Sequence, residues 1–344
     1  MKAVSYAEGK VNFSANAPAP KGDGILVDIV SAGICGSDLH LLHSGAHSPH
    51  VAGHEIAGIT PNGKHVAIEP IIPCWDCALC HEGDYHICKN NSEGLGISSN
   101  GGMAEKILVP EHCLFELDKK VPLQDGCLVE PLAVSLHGLI KTNTNERHKV
   151  AVIGGGTIGL CTVLAAKHLG CHVDLYAKYD HQKEAGLKLG AGELSGQYDR
   201  VVDCVANDQT LELSAKTAKP GSWVILLGIP LNGINLPGMR MIMNEIQVFP
   251  SIMYSSTNGV RDFSVAAKLI AKNTNKKEPK YKIGTNLIKL YILINKVFNP
   301  FGDLNFSMID FLKSYSKYSN KKIIDELDFK FIPIEKTIKE IVSI

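Results

Sequence analysis

Two different rhythms of apolar residues divide the chain. Up to about residue 140, short apolar runs such as Ile25-Leu26-Val27-Asp28-Ile29-Val30 and His65-Val66-Ala67-Ile68 alternate with turns rich in Gly and Pro. Runs of that length between turn residues predict the strands of a β-rich domain. From Lys149 the rhythm changes. Val150-Ala151-Val152-Ile153 is a continuous apolar run, expected of a strand buried on both faces of a parallel sheet, and a glycine cluster and a helix-like stretch follow it. The pattern then predicts strands over residues 172–176, 200–205, 223–227 and 247–252, with helices over 180–189 and 209–218. This alternation is that of a doubly wound α/β domain. Only about seven residues separate Ala191 from Tyr198, so a strand and helix of that domain are expected to be trimmed.

The expected organisation is a first domain over residues 1–145, with a cysteine lobe at 73–90, a nucleotide-binding domain over 146–271, and a divergent segment over 272–344. From Lys272 onward Lys, Asn, Ile, Tyr and Phe dominate, with about six more lysines than acids, which predicts a solvated helical insertion. Residues 327–335 read as a strand and helix start returning to the first domain, with no room for a further strand before Ile344. A length of 344 residues favours more than one domain. Hydrophobic residues at 45%, charged residues at 20% and zero net charge exclude a generally basic nucleic-acid binder and point to small-molecule partners. No stretch approaches about 18 uninterrupted apolar residues, so a cytoplasmic protein without a membrane span is expected.

Cys74, Cys77, Cys80 and Cys88 form C-x2-C-x2-C-x7-C in a segment punctuated by Pro73, Gly83 and Asp84. Two-residue gaps let neighbouring thiolates converge on one ion, and four sulfurs complete the tetrahedral shell of a structural zinc. Such a closed site holds a loop that lacks its own core. His81 and His86 lie beside these cysteines and are read as surface residues, because four thiolates already suffice. Further metal-competent residues flank the lobe: Cys35 in Gly-Ile-Cys-Gly-Ser-Asp, His54 and Glu55 in Gly-His-Glu, and Glu130 in Val-Glu-Pro-Leu.

Taken in order with Asn100-Gly101-Gly102-Met103-Ala104-Glu105 and the glycine fingerprint below, these segments resemble the zinc-containing medium-chain dehydrogenase/reductase superfamily over about residues 1 to 270. The resemblance implies a β-rich GroES-like catalytic domain beside a Rossmann domain. It also implies a hydride transfer between NAD(P) and a small alcohol, polyol or sugar, or the matching carbonyl, in a homodimer or homotetramer. By the same resemblance Cys35 and His54 ligate a catalytic zinc, and Glu55 and Glu130 match the positions that supply the remaining carboxylate. Glu130 stands where polyol-type members carry Glu and many simple alcohol dehydrogenases carry Cys. Ser37 matches the hydroxyl that takes the substrate proton, and His40 could pass it to solvent. Asp38 matches a carboxylate that orients His54. His43, His47 and His50 match nothing in the family and read as loop residues. An alcohol is far too weak an acid to ionise at neutral pH, which is why an open-site zinc suits this chemistry. The altered C-terminal segment leaves a second possibility, a catalytically impaired member that acts as a binding or interaction protein.

Gly154-Gly155-Gly156-Thr157-Ile158-Gly159 satisfies G-x-G-x-x-G after a buried strand and before a helix. Gly154 makes the tight turn, Gly156 admits a pyrophosphate to the helix N-terminus beside Thr157 and Ile158, and Gly159 permits close packing of helix on sheet. An acid about 20 residues later would bind the ribose hydroxyls of NAD. Ala177 stands there, followed by Lys178, which favours NADP over NAD with Lys178 as the phosphate partner and His181 as a weaker candidate. Asp180 is expected to cap the next helix.

Overall fold

A hairpin of β1 (Ala3–Ala7) and β2 (Lys10–Ser14) opens the chain, turned by Glu8 and Gly9, both at positive φ. Then come β3 (Ile25–Gly33), α1 (Gly36–His43), β4 (Glu55–Ile59) and β5 (His65–Ile68). The cysteine lobe lies between the two strands of a small ribbon, β6 (Ile71–Ile72) and β7 (Glu93–Gly94), and holds the one-turn helix α2 (Ala78–His81). With β8 (Lys106–Val109) and β9 (Leu114–Glu116), the longer strands form an antiparallel sheet ordered β8-β3-β4-β5-β9. Alternation sets its faces. Val27 is buried, whereas its neighbour Asp28 points outward and pairs with Lys106 across β8. Val27, Ile56, Val66, Ile68, Ile107 and Val109 share the buried cluster.

The helix α3 (Val129–Lys141) leads out of this sheet, and ten of its thirteen residues are buried. A helix apolar on nearly every side is a core helix. Pro131 falls in its first turn, where its missing N–H costs nothing.

The second half is built on β10 (Lys149–Ile153), α4 (Thr157–His168), β11 (His172–Tyr176), α5 (Asp180–Lys188) and β12 (Gly192–Glu193). It continues through β13 (Tyr198–Asp203), α6 (Asp208–Thr217), β14 (Ala218–Leu226), α7 (Gly238–Met243) and β15 (Gln247–Pro250). All six strands are parallel, in the order β12-β11-β10-β13-β14-β15, the doubly wound arrangement expected. The trimming is real: β12 has two residues, and no helix joins it to β13 among the described residues. Asn207 caps α6 by accepting from Thr210 N at 2.9 Å. Asp180 does not cap α5 as expected. It lies inside the first turn, where its carboxylate pairs with Lys183 at 2.9 Å, and Tyr179 occupies the cap position. A last hairpin, β16 (Ser256–Thr257) with β17 (Val260–Arg261), leads into α8 (Asp262–Thr274), and α3 packs against both α4 and α8.

This computed structural model describes residues 1–274 apart from 46–47, 91–92 and 231–232. They belong to one compact unit. The expected insertion and the returning strand at 327–335 lie outside the described residues, as does His47. Among the described residues no helix is long and apolar enough to cross a membrane.

Leu136 in α3 is fully buried among these layers. Leu136→Ala is expected to cost about 2–5 kcal/mol in a denaturant titration. A loss below about 1 kcal/mol would show that α3 is not the centre of the packing.

Candidate metal and cofactor site

The four lobe cysteines converge. Sγ–Sγ separations are 3.5 Å for Cys77–Cys80 and Cys74–Cys88, and 3.8 Å for Cys74–Cys80 and Cys77–Cys88. Zinc–sulfur bonds of about 2.3 Å in a tetrahedron place sulfurs about 3.8 Å apart, so this donor set fits a zinc ion. Asp76 N donates to Cys74 Sγ at 3.5 Å, as backbone amides do around thiolate sites. His81 is exposed as expected, but His86 is not a surface residue. It is half-buried, its ring edge-on to His137 at 4.8 Å, and burial with that neighbour pulls its pKa down to about 4.

A second group forms where β3, α1 and β4 meet. Cys35, His54 and Glu55 offer donor atoms that all lie within 4.8 Å of one another. Local backbone explains how. Cys35 caps α1, and Gly53, at φ 90°, turns the chain so that His54 and Glu55 enter β4 facing it. Gly33 pairs with Glu55 in the sheet, and a Cβ on Gly33 would stand 1.9 Å from Glu55 Oε2. Only glycine there lets the Glu55 side chain lie across the strand end. Ser37 Oγ is 3.3 Å from His54 Nε2, and His40 is half-buried one turn further along α1. Asp38 does not hydrogen-bond His54 as expected. Its Oδ2 accepts from Cys35 N at 2.8 Å, and both Asp38 Oδ1 and His54 Nδ1 are buried without a partner. The local bond across one helical turn takes the carboxylate. His43 is in the last turn of α1 rather than in a loop, and His50 lies in a bend.

Glu130 stands outside this three-donor group but within its electrostatic reach. Burial lifts its carboxyl to about 8, with neighbouring His54 opposing and Glu55 adding to the shift. Burial likewise raises Cys35, Asp38 and Glu55. Tyr254, fully buried, lies against Glu130, and burial together with that carboxylate raises its phenol well above the usual value.

Cys35 and Glu55 also line a cleft of about 670 Å³ whose other wall is Gly154 to Gly159. The glycines have the expected reasons. Gly154 has φ 104°, Gly156 faces open space at the cap of α4, and a Cβ on Gly159 would stand 1.8 Å from Gly154 O. Thr157, Ile158 and Lys178 line the same cleft. Lys178 Nζ lies 5.5 Å above the Tyr179 ring, and His181 stacks on that ring from 5.7 Å. Val205 and Asn207, which sequence motifs did not single out, line the cleft just past β13. The rule that ligands bind at the carboxyl ends of parallel strands, where strand order reverses, would have found them.

Residues 21–119 match the alcohol dehydrogenase GroES-like domain, and residues 157–272 match the zinc-binding dehydrogenase family. Among curated proteins, an L-idonate 5-dehydrogenase of Vitis vinifera is 28% identical over 271 residues, covering 68% of this chain and 74% of that one. Among solved structures, galactitol-1-phosphate dehydrogenase from Escherichia coli is 28% identical with a TM-score of 0.72, over 81% of this chain and 91% of that one. A zinc-binding dehydrogenase from Sinorhizobium meliloti 1021, solved bound to NADP, is 28% identical with a TM-score of 0.70, over 79% of this chain and 89% of that one.

The raised carboxyl of Glu130 has a consequence for the metal-free protein. The folded chain keeps a proton that the unfolded chain releases near pH 4.3, so the contribution present at low pH is lost as pH rises toward about 8. Denaturant titrations of metal-free protein should show stability falling across that window, with a shallower fall for Glu130→Gln. Equal slopes for both proteins would contradict the burial of this group.

Proposed function

The chain belongs to the zinc-containing medium-chain dehydrogenase/reductase superfamily, and from that membership we propose that it transfers a hydride between NAD(P) and a small alcohol, polyol or sugar. The observation that carries this is the single cleft lined by Cys35 and Glu55 on one side and the whole glycine fingerprint on the other. A hydride donor and acceptor must meet in one water-poor space. The relatives named L-idonate and galactitol-1-phosphate dehydrogenase support a polyol or sugar-type substrate.

We assign the catalytic zinc to Cys35, His54 and Glu55, with Glu130 as the carboxylate behind them, and a structural zinc to the four lobe cysteines. An open-site zinc supplies the Lewis acidity that makes an alcohol oxygen easy to deprotonate, and the dinucleotide supplies the hydride acceptor. The chain does the rest. Ser37, beside His54, holds the hydroxyl proton of the substrate, and His40 hands it to solvent. Gly156 and the N-terminus of α4 receive a pyrophosphate, and Gly154 and Gly159 keep strand and helix close enough for that approach. Ala177 leaves the ribose end without a carboxylate, and Lys178 gives it a cation, which favours NADP. We place the catalytic domain at residues 1–145 and the nucleotide domain at 146–271, with the junction just before β10.

Zinc analysis combined with an alcohol and polyol panel tests the assignment. The wild type should hold two zincs and turn over with NADP in preference to NAD, and Cys35→Ala should hold one and turn over neither. A wild type with one zinc and no turnover would contradict the assignment. Lys178→Ala should raise KM for NADP roughly tenfold to a hundredfold, the worth of a charged hydrogen bond, while leaving NAD little changed. Equal effects on the two cofactors would remove Lys178 from the phosphate site.

A further inference from the structure

The cysteine lobe grips the helix that carries Glu130. Lys141 Nζ, in the last turn of α3, donates to Asp84 Oδ1 at 2.5 Å, and the His86 ring meets that of His137 edge-on at 4.8 Å. His137 is itself anchored: its Nδ1 lies 2.9 Å from Asp262 Oδ2, both groups are buried, and the same carboxylate accepts from Ser255 N at 2.9 Å. The lobe also touches this hairpin directly. Ser256 N donates to Gly83 O at 2.9 Å, and a Cβ on Gly83 would stand 2.6 Å from Ser256 O.

At about 100° per residue, Glu130, His137 and Lys141 fall within a stripe of about 40° on one side of α3. The lobe therefore holds the face that presents Glu130. Apart from Tyr85, which is buried in the main core, the lobe has little regular structure beyond a single helical turn, and joining its four thiolates by a metal would add to its folding energy. A metal that joins the four cysteines would therefore stiffen the grip on α3.

We propose that the four-cysteine lobe positions the catalytic centre: with its zinc bound it fixes α3, sets Glu130 behind Cys35, His54 and Glu55, and so strengthens metal binding there. Asp84, His137 and Lys141 are the positioning residues. The coupling is reciprocal, as any linkage between two binding sites must be. It rests on the two-zinc assignment above.

The test is chelator competition on the full-length, zinc-loaded chain, supported by the visible spectrum of cobalt placed in the Cys35 centre. The combined variant His137→Phe, Lys141→Met leaves every ligand in place. It should weaken zinc at the Cys35 centre by about tenfold to a hundredfold, the usual effect of losing support behind metal ligands, and shift the cobalt bands. Cys77→Ser should weaken it comparably, and adding the grip substitutions to Cys77→Ser should then do nothing more. Leu136→Ala destabilises α3 without touching the grip and should leave the affinity unchanged. Should Cys77→Ser fail to fold, the grip variant decides. An unchanged affinity in the folded grip variant, or an equal loss in Leu136→Ala, would overturn the proposal while leaving the dehydrogenase assignment standing. A wild type that takes up only one zinc would overturn both.

Discussion

Desolvation of four acidic side chains around His54 is the constraint on which the rest of the structure depends. Cys35, Asp38, Glu55 and Glu130 are all pushed toward their neutral forms by burial, and His54 is the basic group beside them. Among the described residues no lysine or arginine is among their main electrostatic neighbours. Burying an uncompensated charge costs several kcal/mol, so such a cluster is tenable either protonated or joined by a cation. A softly ligating thiolate, an imidazole and a carboxylate within 4.8 Å of one another are the donor types of a zinc site.

The surrounding fold keeps that cluster in place, on a core that runs from Ala57 and Ala67 through Leu132 and Leu136 to Val150 and Val152. Gly33 clears room for Glu55, Gly53 turns His54 toward Cys35, and α3 brings in Glu130 from the helix that leads out of the antiparallel sheet. A buried carboxylate, Glu69, ties further elements of the fold together. Glu69, fully buried at the end of β5, receives Tyr85 Oη at 2.6 Å and pairs with Arg261 of the last hairpin. The Arg261 guanidinium lies over Phe115 at 4.7 Å and Trp75 at 5.4 Å, so one cation ties together sheet, lobe and hairpin. The intact donor set and open cleft argue against a catalytically impaired relative within the described residues.

Features written in one short stretch of sequence were readable there. The spacing of Cys74 to Cys88, the glycines at 154–159 and the run Val150 to Ile153 each impose their geometry locally, and each appears in the structure as expected. Pairings across the fold were not. Arg261 with Glu69 and His137 with Asp262 join residues more than a hundred positions apart, and neither periodicity nor motif spacing carries that information. The two misread carboxylates, Asp38 and Asp180, failed for a related reason. A partner three residues away, backbone for one and Lys183 for the other, competes with more distant roles and prevails.

The proposed assignment gives the chain two chemically different metal sites, a closed one of four sulfurs and a mixed one whose Cys35 and Glu55 line the cleft with the glycine fingerprint. X-ray absorption at the zinc edge tests it most directly. Five cysteine sulfurs shared between two zinc ions, with His54 nitrogen and carboxylate oxygen filling the remaining positions, should give a sulfur shell together with a distinct shorter nitrogen and oxygen shell. A spectrum of four sulfurs alone would show that only the lobe holds zinc and would contradict the assignment of Cys35, His54 and Glu55.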